Sequence, residues 1–304
     1  MSISLTIHQK GTFAKQRPAP EALRRQFDAA VHLGALGLYG TFQPQLPTPA
    51  ADGSFAYKLT GKAGVLGRGF SLTIDKAYTA FTVCLPLPAT AQDLEDFFTF
   101  VGLLASFLHV KEVENTQGGT LPRAALPALY AEAQQQNREA LYTLAAEHPG
   151  TILPCVRMPL RIPETLCRRI TSVPPQAGEK YFSAYLSEKQ ARDYYYMMPQ
   201  PCQPAQGAPY FAYTLPEGAA TILQKQPMVP VGPSPLGDAA PERWEVVLDG
   251  TQVGQIGTLS YAQFLQALPE EWLNEFDEDH YWMRGLTLKK MQTLLEGPQE
   301  AEEG

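Results

Sequence analysis

Apolar and polar residues alternate through SISLTIH (2–8), SFAYKLT (54–60), FSLTIDK (70–76) and AFTVCLPL (80–87). A period of two marks a strand with one buried face. Gly and Pro clusters separate the runs, as in an antiparallel meander. GLYGTF (37–42) reads as another strand, and DKAYTA as the hairpin connection between the last two. Leu94, Phe97, Val101, Leu104 and Leu108 then recur at three and four residues. Thr90 and Asp93 stand at capping-box spacing ahead of them, which predicts a helix over 91–109. Phe98, Phe100, Leu103 and Phe107 widen its apolar face beyond one stripe, the mark of a buried helix. Leu23, Phe27 and Val31 predict an earlier helix between Pro20 and Gly34. KEVENTQGG reads as a short exposed strand and turn, and a more polar surface helix is predicted over about 127–147.

From Thr151 the pattern changes. Pro154, Pro159 and Pro163 cannot donate to a sheet ladder, so this stretch reads as an edge strand or an extended connector. KYFSAYLS (180–187) reads as a strand. Ser187 and Gln190 have capping-box spacing for a helix through EKQARDYYYMM, on which Tyr194, Tyr195 and Tyr196 cannot all face a core. PYFAYTL and GAATILQKQP read as a hairpin about Pro216-Glu217-Gly218. A second hairpin is centred on Asp249-Gly250. Ser260 and Gln263 box a helix, with Leu259 and Phe264 as its staple. The last helix is predicted over about 287–295, before the acidic QEAEEG tail. These elements predict an α+β fold of antiparallel sheets with helices packed on one face, in two related halves, 1–150 and 151–304.

Composition narrows the class. Hydrophobic residues make up 44% of the 304, enough for a real core, and 27 prolines exclude one long helical bundle. A net charge of −7 argues against a broad phosphate-binding surface, so nucleic acid is not an expected partner. The longest mostly apolar run, Phe97–Leu108, is too short to span a bilayer, and the first residues lack the pattern of a signal peptide. A cytoplasmic protein without membrane contact is expected. Cys84, Cys155, Cys167 and Cys202 form no CxxC pair, which predicts unpaired thiols holding no zinc and no cofactor. Cys84, inside an apolar run, reads as buried.

Candidate chemistry is sparse. GKAGVLGRG (61–69) lacks the Gly-Lys-Ser/Thr and following helix of a phosphate loop, so it reads as a flexible inter-strand loop whose Arg68 is left as an anion contact. His280 stands beside Asp277 and Asp279, a pairing that suits a metal. The central Gly of a calcium loop is missing, which favours a solvated acidic turn. No histidines pair at HExxH spacing and no GxSxG elbow is present, so no catalytic residue is expected. Arg157, Arg161, Arg168 and Arg169 form the basic cluster of an acidic chain, suited to an anionic ligand or acidic partner unless the protein's own carboxylates pair with it. The Pro/Gly-rich loop Pro227–Pro241 carries Met228 and leads to Trp244. Loops that long without structure are usually functional or disordered, which makes Arg157, Arg161, Met228 and Trp244 the expected binding residues.

RGFSLTIDKAYTAFTVCLPLPAT (68–90) with the helix after it, PMVPVG (227–232), WEVVL (244–248) and IGTLSYAQFLQALP (256–269) together resemble an uncharacterised bacterial family, domain of unknown function 4299. The resemblance implies a bacterial cytosolic protein of unknown activity and carries no functional residues. The expected function is a non-catalytic binding or regulatory protein whose partner is a protein or a small anionic ligand. The alternative is an enzyme with its site in a cleft between the halves.

Overall fold

Leu5 and Ile7 are buried while the residues between and beside them are more exposed, and this alternation makes Ser2–His8 the strand β1. The structure is a computed structural model that describes residues 1–9, 35–36, 42–43, 54–62, 65–115, 118–191, 194–204, 207–228 and 243–296. The helix expected between Pro20 and Gly34, and most of GLYGTF, lie outside the described residues. The chain separates into two compact units, Met1–Arg192 and Asp193–Gly304. Residues 151–191, assigned by their sequence texture to a C-terminal half, belong to the first unit.

In the first unit Ala35–Leu36 (β2) and Phe42–Gln43 (β3) form a small ladder. Phe55–Lys62 (β4), Val65–Ile74 (β5), Ala80–Pro86 (β6), Glu112–Asn115 (β7) and Thr120–Pro122 (β8) join β1 in a sheet of order β4-β5-β6-β1-β7-β8. Every pairing in it is antiparallel. The helix Ala91–Phe107 (α1) packs on this sheet through Leu94, Phe97, Val101 and Leu104, all buried. Phe97 meets Phe70 edge-on at 5.9 Å, and Phe100 lies 5.4 Å from the same ring. Leu103, expected to widen the buried face, is 40% exposed. Cys84 is half-buried, because strand alternation gives the inward positions to Phe81, Val83 and Leu85.

Leu126–Glu147 (α2) follows, then Ile152–Leu153 (β9) and Leu160–Arg161 (β10), which pair with each other. Two corrections fall here. The proline-rich connector contains a helix, Glu164–Thr171 (α3), which starts after Pro163 and buries Cys167 and Ile170. KYFSAYLS is not a strand: it lies within the helix Pro175–Gln190 (α4). Gly178, Phe182, Leu186 and Gln190 are its buried positions, a period of four that the aromatic content of the segment obscures. Gln190 therefore ends a helix and caps none. Its side chain donates to the carbonyls of Gly67 (3.0 Å) and Leu186 (3.2 Å) and accepts from the Arg157 amide (2.9 Å).

The Gly-rich stretch is also corrected: β4 reaches Lys62 and β5 begins at Val65, so most of it is strand. The reason lies at Asp93. Its buried carboxylate accepts from the Arg68 and Gly69 amides and from the Thr90 amide and hydroxyl, all at 2.8–2.9 Å, while Thr90 Oγ1 accepts from the Asp93 amide. A Cβ at Gly67 would stand 2.2 Å from the carboxylate. Arg68 is buried with it, donating to the carbonyls of Pro88 (3.0 Å) and Pro154 (3.2 Å), so it is not presented to an outside anion. Burial lowers the Arg68 guanidinium from its ordinary value, against the opposing influence of Cys155 and Asp93. Burial likewise pushes the Cys155 thiol up to about 12, against the pull of Arg68. Asn137 of α2 grips Ala89, accepting from its amide at 2.6 Å and donating to its carbonyl at 3.0 Å.

The second unit is built from Tyr195–Tyr196 (β11), Gln200–Cys202 (β12), Tyr210–Pro216 (β13), Thr221–Gln224 (β14), Trp244–Gly250 (β15), Gly254–Ser260 (β16), Tyr261–Ala267 (α5), Asn274–Glu275 (β17), His280–Met283 (β18) and Leu288–Glu296 (α6). It has two sheets, β12-β13-β15-β16 and β11-β14-β18-β17. The pairs β13–β15 and β11–β14 are parallel and the others antiparallel. PYFAYTL and GAATILQ thus belong to different sheets and form no hairpin. The turn between them is anchored elsewhere. The Glu217 carboxylate accepts from the Leu288 amide (3.0 Å) and the Thr251 amide (3.1 Å), and the Gly218 amide donates to Leu286. The capping box of Ser260 and Gln263 is present, and Tyr261 and Phe264 behind it enter the core with Tyr213, Leu248, Met283 and Met291.

Tyr194–Tyr196 is not helical. In extended backbone the side chains alternate, so Tyr195 enters this core while Tyr194 and Tyr196 take the other face of their sheet. All three are buried by this means. The Tyr213 hydroxyl is pushed up to about 12 by burial, against the stabilising Met228 backbone bond. None of the four cysteines forms a disulfide. Among the described residues no helix is long and apolar enough to cross a membrane.

Three outcomes are expected. Phe97→Ala should lower unfolding free energy by about 3–5 kcal/mol in urea denaturation. Gly67→Ala and Asp93→Ala should each cost about 2–4 kcal/mol. Their combination should fall short of the sum by at least about 1 kcal/mol, because removing the carboxylate removes what the new methyl strikes; strict additivity would contradict the contact. Alkaline pH should also destabilise the fold. Cys155 and Tyr213 keep protons in the native state that the unfolded chain releases above about 8.5 and 10. Native stability is then complete below about pH 8.5 and declines as pH rises toward 12. Urea midpoints measured from pH 8 to 11 should fall less steeply for Cys155→Ala/Tyr213→Phe than for wild type.

Candidate functional site

Of the four expected binding residues, Arg157 and Arg161 belong to the first unit, Met228 and Trp244 to the second. Arg157 and Arg161 are half-buried on the connector around β9 and β10. Arg168 and Arg169 are exposed in the last turn of α3, where cations suit the helix dipole, and Arg169 covers the Tyr181 ring at 3.6 Å. Trp244 stacks on Phe211 at 5.1 Å and on Tyr213 at 5.9 Å, at the margin of the core. The Tyr213 hydroxyl contacts both the amide (3.1 Å) and the carbonyl (3.3 Å) of Met228. Tyr213 therefore joins Met228 to Trp244. The loop expected to rim a binding surface lies, from 229 to 242, outside the described residues.

His280 is neither solvated nor turned outward. Its Nδ1 is 2.7 Å from Asp277 Oδ1 and its Nε2 is 3.0 Å from the Tyr196 hydroxyl. The ring thus bridges the Asp277 carboxylate and the Tyr196 hydroxyl through its two nitrogens. The Asp279 amide donates to the same Asp277 oxygen at 2.9 Å. Burial raises the Tyr196 hydroxyl above its ordinary value, so it stays protonated and a donor. Both ring nitrogens are engaged by protein groups, and the relay fixes the turn between β17 and β18.

That hairpin carries the wall of a groove of about 500 Å³. Trp272 precedes β17, Asn274 is within it, Trp282 lies on β18, and Arg284 and Gly285 follow the strand; Lys290 comes from the first turn of α6 and Glu271 from the rim. Lys290 Nζ stands 4.5 Å above the Trp272 ring. The Tyr194 ring lies 5.6 Å from Trp282 at a shallow 34°. Gly285 is required here because a Cβ would come within 2.1 Å of the Gly218 carbonyl oxygen. Among the described residues neither Arg284 nor Lys290 makes an ion pair. Two indoles and two uncompensated cations in one concavity can stack a flat group and neutralise an anion.

Sequence reasoning missed these residues, because the acidic letters around His280 drew the reading toward a solvated turn. A signal was present: two of the three tryptophans, Trp272 and Trp282, fall within eleven residues of each other and just ahead of Arg284 and Lys290. Neither a curated protein nor a solved structure matches the chain significantly. The sequence model of the family described as Domain of unknown function (DUF4299) matches residues 3–294, nearly the whole length, and the chain belongs to that family.

Proposed function

We propose that this is a non-catalytic binding protein of the cytoplasm that holds a small anionic ligand in the groove of its second unit. The observation that carries this reading is the pair of cations, Arg284 and Lys290, lining one concavity without ion pairs among the described residues of a chain of net charge −7. The volume lies in the usual range of small-molecule sites, about 300–1,000 Å³. Indole, guanidinium, ammonium and amide groups are binding groups, and the lining has no hydroxyl or thiol nucleophile beside a base. Four thiols outside any disulfide suit a reducing compartment. One observation favours an enzyme instead, the Asp277–His280–Tyr196 relay. Both imidazole nitrogens are bonded to protein groups, which supports a structural role over a catalytic one.

Thermal shift against a panel of small acids, amines and neutral sugars tests the proposal. Acids alone are expected to raise the melting temperature, and Arg284→Ala/Lys290→Ala to abolish the rise without lowering the unliganded midpoint by more than about 2 °C, since both side chains are exposed. Stabilisation independent of ligand charge would reject the anion reading, and chemical turnover of a stabilising acid would replace binding by catalysis.

A further inference from the structure

We infer that the groove takes a planar aromatic anion, a fused or single aromatic ring bearing a carboxylate or comparable acid, stacked on Trp282 with its charge toward Arg284 and Lys290. The inference rests on the groove being a ligand site and names what that ligand is. Trp282 lines the groove and Tyr194 does not, so the Tyr194 ring backs the indole from behind and holds it as a platform. A rigid aromatic wall binds a flat partner at little entropic cost. The relay two residues earlier on the same strand face, His280 between Asp277 and Tyr196, fixes that strand's position. Arg284 follows the strand directly and lines the same groove as the Trp282 indole. Gly285 then lets the chain turn against Gly218 with no side chain intruding. On the other wall Lys290 covers the Trp272 face. That ring is already occupied by a cation, which leaves Trp282 as the stacking surface and adds a second positive charge. Glu271 is the one acid in the lining, so the groove's formal charge is positive and a cationic ligand is disfavoured.

Calorimetric titration of the full chain with three probes tests this: 2-naphthoate, its neutral counterpart 2-naphthamide, and cyclohexanecarboxylate, an acid without a flat ring. 2-Naphthoate is expected to bind at least tenfold more tightly than either of the others. Arg284→Gln and Lys290→Gln, at exposed positions, should each weaken 2-naphthoate at least threefold and leave 2-naphthamide unchanged. Trp282→Leu should remove the preference for 2-naphthoate over cyclohexanecarboxylate; retention of that preference would overturn the stacking assignment. Equal binding of 2-naphthoate and cyclohexanecarboxylate would overturn the aromatic inference while the anion site stands. Equal binding of 2-naphthoate and 2-naphthamide would overturn the charge pairing. Absence of binding by all three at millimolar concentration would overturn the ligand site itself. Binding that emerges only when the chain is ended at Glu296 would assign the groove to the acidic tail, Glu300, Glu302 and Glu303, and overturn the small-ligand occupant.

Discussion

The Asp93 carboxylate organises the first unit. One buried charge accepts from four donors, two on β5 and two at the start of α1. A capping box ordinarily closes a helix end on itself. Here the same carboxylate that closes the box also holds the strand, so the position of α1 over the sheet is determined by hydrogen bonds as well as by the apolar contacts of Phe97 and Phe100. Directional bonds to a charge are individually stronger than neutral ones and tolerate little displacement. The requirement for glycine at position 67, and for backbone amides presented at 68 and 69, follows from this single group.

The second unit uses the same device at a turn. Glu217 receives an amide from the first turn of α6 and another from the turn between β15 and β16, so one carboxylate gathers three separate segments. Around the groove the framework is polar and the surface aromatic. The relay of Asp277, His280 and Tyr196 settles the hairpin, and the indoles are displayed from it. Such a division lets the groove residues change without loss of the relay, because none of the relay's bonds depends on Trp282, Arg284 or Lys290.

Local patterns were legible where period and cap agreed. Thr90–Asp93 and Ser260–Gln263 mark helix starts that the structure contains, and the strands of the first sheet follow their alternation. Reading failed where residue type spoke against period. KYFSAYLS is rich in aromatic residues that favour strands, yet its buried positions repeat every four. Ser187 and Gln190 satisfied a cap's spacing inside a helix, because spacing alone does not say where the backbone becomes helical. The pairing of β13 with β15 joins strands with β14 between them in the sequence, and nothing local distinguishes that from a hairpin. The groove was opaque for the same reason: Trp272, Trp282 and Lys290 acquire meaning only when β17, β18 and α6 are brought together.

Two of the glycines that lie against other groups, Gly67 and Gly285, bear on how variation within the family should be read. At Gly67 and Gly285 any side chain would collide with a carboxylate or a peptide carbonyl. Invariance at these positions among related sequences would therefore record backbone proximity, and using it to locate a site would lead away from the groove. Coordinated exchange at 282, 284 and 290 is the informative pattern. Relatives that keep the glycines and the relay while altering those three would be proteins of one architecture that have diverged in what they hold.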